Sequence, residues 1–68
     1  MLKNNVASIR LELGITQEEL ARNAEISRVA LSAIENGTIP KGDTMIKIAK
    51  ALGRKVEEVF TDDTVNQN

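Results

Sequence analysis

Two helix-start signals set close together constrain this chain more than any other feature. In Thr16-Gln17-Glu18-Glu19 a hydroxyl residue is followed three positions later by a glutamate. In such a capping box each side chain bonds the other residue's backbone N–H at a helix start. Ile15 before the cap and Leu20 at the fourth helical position can close as a hydrophobic staple. The helix is expected to run to about Asn23, with Leu20, Ala21 and Ala24 facing inward. Two alanines on that face let another helix approach closely. After a break at Ala24-Glu25-Ile26, Ser27 can cap a second helix to about Asn36, where Gly37 stops it. A capped helix, a turn of about three residues and a second capped helix thus fit within about 20 residues, the geometry of a helix-turn-helix unit.

The remaining segments also have helical periodicity. Val6, Ile9 and Leu13 form one apolar stripe on a helix over about Leu2 to Leu13, which Gly14 ends. A loop from Gly37 to Gly42 holds the single proline, Pro40. Asp43 is placed to cap a fourth helix to about Leu52, with Met45, Ile48, Ala49 and Leu52 inward. A last short helix, Val56 to Phe60, has Val56, Val59 and Phe60 to bury. The expected fold is all-α, a compact five-helix bundle over residues 1–60 with the motif at about 16–36. The polar stretch 61–68 is expected to be a disordered tail.

A chain of 68 residues is one domain with a marginal core, so stability must come from well-packed helices or a partner subunit. It contains no Cys and no His. That excludes disulfides, thiolate or imidazole metal sites, and Ser-His or Cys-His catalysis. With no Gly-rich phosphate loop either, no enzyme, metal or cofactor is expected. Lys3, Arg10 and Glu12 interrupt the first residues, and no segment approaches the roughly 20 apolar residues of a membrane span. A cytoplasmic protein with no membrane association is expected.

The net charge of −1 conceals an asymmetry. Residues 1–56 hold all nine Lys and Arg against six acids, a net +3. Residues 57–68 hold four acids and no base, a net −4. A mildly basic body is compatible with nucleic-acid binding by one face, or with an ordinary solvated surface.

The helix after Ser27 is the most informative by face. Ile26, Ala30, Leu31 and Ile34 fall on one side as core. Opposite them lie Arg28, Val29, Ser32, Ala33 and Asn36, short of acids and with two small apolar residues exposed. A helix entering a major groove needs a forked donor for guanine, small apolar groups for thymine methyls and short hydroxyls near bases or phosphates. Arg28 is the first kind; Val29 and Ala33 are the second; Ser27 and Ser32 are the third. On this face alone a plain surface helix fits equally well.

The stretches Gly14-Ile15-Thr16-Gln17-Glu18-Glu19-Leu20-Ala21, Ile26-Ser27-Arg28, Ile34-Glu35-Asn36-Gly37, Ile48-Ala49-Lys50-Ala51-Leu52-Gly53 and Val59-Phe60 resemble, in this order, the lambdoid repressor/Cro (Xre) family of helix-turn-helix proteins. The resemblance covers about residues 2–60. It implies a five-helix bundle, usually dimeric, that binds operator DNA and regulates transcription, with double-stranded DNA as partner and no small-molecule ligand evident. It also implies roles. Gln17 would contact the DNA backbone and buttress the readout. Ser27, Arg28 and Val29 would read bases, as would Ser32 and Ala33 in mid-helix. Asn36, Thr38 and Lys41 would grip phosphates. Arg10 and Glu35 would pair between the first and third helices and fix the reading helix. Two positions depart from the pattern: Glu25 stands where the family usually has a turn glycine, and Lys55 where a Ser or Thr usually caps the last helix.

The expected function is a repressor binding an inverted repeat as a homodimer, with recognition helix 27–36 and half-sites about 34 Å or 10 bp apart. Val56, Val59 and Phe60 are the candidate dimer surface unless the monomer core consumes them. The alternative is an antitoxin or protein-interaction module whose acidic tail engages a partner and whose DNA binding serves autoregulation.

Overall fold

The computed structural model describes residues 2–62. The elements run β1 (Leu2–Asn4), α1 (Val6–Leu13), α2 (Gln17–Ala24), α3 (Arg28–Glu35), α4 (Gly42–Leu52), α5 (Val56–Val59) and β2 (Phe60–Asp62). The five-helix bundle expected from the pattern is present. A minor ribbon is added: β1 and β2 pair antiparallel, with Lys3 opposite Thr61 and Asn4 opposite Phe60.

Local chemistry explains the helix starts. The Thr16 oxygen accepts from the Glu19 N–H at 3.1 Å, and the Glu19 carboxylate accepts from the Thr16 N–H at 2.8 Å, closing the capping box. The Ser27 oxygen accepts from the Ala30 N–H at 3.0 Å. The start of α4 differs from expectation. Lys41, not Asp43, is its N-cap, with no side-chain hydrogen bond; Asp43 lies inside the first turn and accepts only from the adjacent Thr44 N–H. At α5 a lysine side chain has nothing to accept with, and the Glu58 carboxylate alone reaches back to the Lys55 N–H at 2.9 Å.

The ends of α1 to α4 share one device. After α1, Gly14 N–H bonds the Leu11 carbonyl and Ile15 N–H bonds the Arg10 carbonyl. This crossed pair is a Schellman closure, which needs a left-handed residue at its apex. The same pair of bonds closes α2 at Glu25, α3 at Gly37 and α4 at Gly53. Glu25, with φ 59° and ψ 41°, therefore occupies a conformation that its three counterparts fill with glycine.

The core is Val6, Ile9, Leu20, Ala21, Ala24, Leu31, Ile34, Ile48, Ala49, Leu52, Val59 and Phe60. It draws on each of the five helices, and α2 packs mainly on α4 and α3. Ala21, Ala24 and Ala49 keep those approaches close. Ile15, Ile26, Met45 and Val56 cover the rim. Truncating Leu20, Leu31 or Ile48, each fully buried, to alanine would cost about 2–5 kcal/mol.

Four expectations need correction. The first helix starts at Val6 rather than Leu2. The residues before it are held in the ribbon, where Asn5 N–H bonds the Val59 carbonyl at 2.8 Å. Leu13 is 47% exposed, at the last residue of α1. Ala30 is exposed as well, since α3 buries only Leu31 and Ile34. The boundary drawn at residue 60 falls inside β2, which holds Phe60, Thr61 and Asp62. The rest of the expected tail lies outside the described residues.

Candidate nucleic-acid interface

Arg10, Gln17 and Glu35 meet beneath the outer face of α3. Arg10 grips the Glu35 carboxylate with both arms, Nε to Oε2 at 2.8 Å and Nη2 to Oε1 at 3.2 Å. Its Nη1 donates to the Ile15 carbonyl at 3.0 Å. Gln17 Nε2 donates to Glu35 Oε1 at 2.9 Å. One carboxylate thus joins α1, the α1–α2 turn, the first residue of α2 and the last residue of α3. The side chains of Arg10 and Glu35 are only 13% and 8% exposed, so water screens the pair weakly.

Burial pushes the Glu35 carboxyl up. The hydrogen bonds from Arg10 and Gln17 and the Arg10 charge outweigh it, and the group lies below the usual carboxylate range. The hydrogen bond to Glu35 raises Arg10 further still. Glu35 is therefore a fixed anion at neutral pH, fully engaged and turned away from solvent.

The outer face presents the residues singled out from the sequence. Arg28, Val29, Ser32, Ala33 and Asn36 line one open concavity of about 460 Å³, and Gln17 completes its wall from α2. Val29 is 81% exposed, far more than a valine with a packing role would be. Among the lining residues Ser32 and Ala33 are half-buried, and Arg28 and Asn36 are exposed. Among the described residues Arg28 has no ion-pair partner. None of the six lining residues is acidic. The concavity therefore offers one cation, amides, a hydroxyl and small apolar groups, a set suited to base edges and phosphates.

Other candidates lie outside it. Ser27 is exposed at the α3 start, where its oxygen serves as the cap. Thr38 and Lys41 are exposed in the loop between α3 and α4; the Thr38 N–H is used in closing α3. Val59 and Phe60 are buried in the chain's own core and Val56 packs on its rim. This corrects the assignment of Val59 and Phe60 to a dimer surface, because their apolar area is already covered, whereas Val56 stays half-buried. Among the described residues there is no group of acids able to hold a metal ion. No helix among them is long and apolar enough to cross a membrane.

One residue escaped the sequence reading. Asn4 Nδ2 donates to the Ile34 carbonyl, near the end of α3, at 2.6 Å, while its Oδ1 accepts from the Val6 N–H at 2.9 Å. An asparagine pair ahead of an apolar helix is a cap signal. The reach to Ile34 leaves no trace in sequence.

A family model described as helix-turn-helix matches residues 6–59. The chain is 37% identical over 60 residues to the HTH-type transcriptional regulator YgzD of Bacillus subtilis, covering 87% of this chain and 91% of that protein. It is 34% identical over 70 residues to the HTH-type transcriptional regulator YqaF of the same organism, covering 98% of this chain and 88% of the relative. It is 31% identical over 67 residues to the cryptic phage CTXphi transcriptional repressor RstR of Vibrio cholerae, covering 97% of this chain and 60% of that protein. With its motif, fold and matched length in agreement, the chain belongs to the helix-turn-helix family of the lambdoid repressor (Xre) type.

Proposed function

We propose that the chain is a sequence-specific DNA-binding transcription regulator that acts as a repressor and binds an inverted-repeat operator as a homodimer through α3. One observation carries this reading: the outer face of α3 and Gln17 form a single acid-free concavity with Arg28 unpaired among the described residues and Val29 almost fully exposed. Arg28 is assigned to fork onto a guanine, Val29 and Ala33 to meet thymine methyls, and Ser27 and Ser32 to bond bases or nearby phosphates. Gln17, Asn36, Thr38 and Lys41 are assigned to the phosphate backbone. Repression draws support from RstR, whose name is that of a repressor. The homodimer follows from the two-fold logic of such motifs, with two copies of α3 reaching successive major grooves about 34 Å apart. Its apolar area must come from outside the core, and Leu11, Leu13, Ile39 and Ile46 are exposed.

The test is selection from a random duplex library by the purified protein at near-physiological salt, with Arg28→Ala in parallel. Salt matters because phosphate binding alone would mask base readout. The expected result is an enriched inverted repeat with half-sites about 10 bp apart, relaxed at one position in Arg28→Ala. A single unrepeated half-site would overturn the dimer. Absence of enrichment at every salt concentration would overturn the DNA-reading function.

A further inference from the structure

We infer that Asn4 is a positioning residue for DNA reading, clipping the β1–β2 ribbon to the far end of α3. The inference rests on the DNA-reading function proposed above and names a device that supports it.

The carboxamide of Asn4 is used at both ends. Nδ2 donates to the Ile34 carbonyl at 2.6 Å and Oδ1 accepts from the Val6 N–H at 2.9 Å. Few side chains can do both from this position. Aspartate keeps the acceptor for Val6 but has no hydrogen for Ile34, and glutamine is one methylene longer. The backbone of Asn4 is itself fixed by pairing with Phe60. Its neighbour Asn5 adds two anchors, N–H to the Val59 carbonyl at 2.8 Å and Nδ2 to the Glu58 carbonyl at 3.0 Å. Asn4 therefore presents its amide from a rigid base.

The receiving end is equally informative. The Ile34 carbonyl belongs to the last turn of α3, where carbonyls lack intrahelical partners. It accepts from the Gly37 N–H at 3.0 Å, and Asn4 supplies a second donor. The next residue, Glu35, is held by Arg10 and Gln17. The end of α3 is thus pinned at two consecutive residues, through its backbone by the ribbon and through its side chain by α1 and α2. Among the helices α3 packs most on α2, so few other supports fix its tilt. Ser32, Ala33 and Asn36 flank the pinned residues and line the reading concavity. Asn4 does not line it, so its action on DNA passes through Ile34.

The test compares the full chain with Asn4→Asp, which retains the cap on Val6, and with the neutral Asn4→Ala. Each is measured for denaturant midpoint, for the ¹³C shift of the Ile34 carbonyl, and for affinity to the duplex selected by the wild type across a salt series. The expected result is a shifted Ile34 carbonyl in both variants and a loss of affinity of up to about tenfold, the size of one hydrogen bond. The loss should relax preference at the bases nearest Ser32 and Asn36 and leave the salt slope unchanged, because no phosphate contact is removed. Should either variant unfold in part, affinities are compared at a temperature where both are folded. Wild-type affinity and base preference in both variants would overturn the inference. So would a loss confined to the charged variant, or a lowered salt slope, since either would mark a direct effect of charge. If the wild type itself selects no duplex, the DNA-reading function fails, while the Ile34 carbonyl shift still reports whether the clip exists.

Discussion

Gln17 Nε2 lies 2.9 Å from Glu35 Oε1, so the first residue of α2 and the last residue of α3 are joined by a side-chain hydrogen bond across the motif. Gln17 lines the concavity that faces DNA in the proposed function, and the bond ties it to the buried Glu35 carboxylate. Arg10 completes the arrangement from α1 with two further bonds to the same carboxylate.

Replacing Glu35 with alanine is therefore expected to destabilise the chain by roughly 3 kcal/mol, because a mostly buried guanidinium loses its counter-charge. Replacing both partners, Arg10→Met with Glu35→Leu, should recover much of that loss, since no unpaired charge remains buried. Urea denaturation of the three variants measures both effects. A loss below about half a kcal/mol in Glu35→Ala would put the pair in the class of exposed surface ion pairs.

The same carboxylate sets a pH dependence. Its folded pKa lies below its ordinary value, so the folded chain holds that proton less readily than the unfolded chain does. The stabilisation is fully present above the unfolded value, about 4.3, and is lost as pH falls through the lower folded value. Glu35→Gln cannot ionise. The gap in urea midpoint between wild type and Glu35→Gln should stay constant from about pH 7 to 5.5 and then shrink towards pH 3. With no histidine in the chain, no imidazole titration intrudes on the neutral plateau. A gap unchanged by acid would show that Glu35 contributes through its shape and hydrogen bonds rather than its charge.

The turn of the motif offers a substitution in the opposite direction. Glu25 adopts φ 59° at the apex of the α2 closure, the role taken by Gly14, Gly37 and Gly53 elsewhere. A left-handed non-glycine residue costs about 1–2 kcal/mol, and glycine returns roughly half of that through its larger unfolded-state entropy. Glu25 shares a surface concavity with Lys47 and Lys50, yet forms no ion pair with them among the described residues. Glu25→Gly should therefore raise stability by about 0.5–1 kcal/mol, read from the thermal midpoint. A lower midpoint would mean that the Glu25 carboxylate makes a favourable interaction in solution.

What the sequence disclosed follows the range of the physics involved. Thr16, Glu19, Ser27 and Gly37 act on backbone groups within a few residues, so their caps and stops are written locally. Periodicity marked the core face but not its extent. It placed Leu13 and Ala30 inside because a stripe carries no record of where the neighbouring helices stop. The ribbon was illegible for a different reason: two three-residue strands pair through backbone groups at opposite ends of the chain, with too few residues to show alternation. Asn4 went unread with it. Val59 and Phe60 look alike as core or as interface in sequence, and only their burial in the folded chain decides. The Arg10–Glu35 assignment came from family resemblance, since 25 residues of separation hide an ion pair from any local rule.

Val29 provides the sharpest separation of reading from folding. A side chain 81% exposed has little packing to lose, so Val29→Ser should leave stability within about 0.5 kcal/mol of wild type. If Val29 meets a thymine methyl, removing its two methyl groups should weaken binding to the selected operator and relax preference at one position, by roughly 1 kcal/mol. The salt slope should stay the same, because valine releases no counterion from a phosphate. Binding isotherms on the wild-type operator and on its single-base variants at that position supply the measurement. Unchanged discrimination at every position would remove Val29 from the reading face and leave Arg28 and Ser32 to carry it.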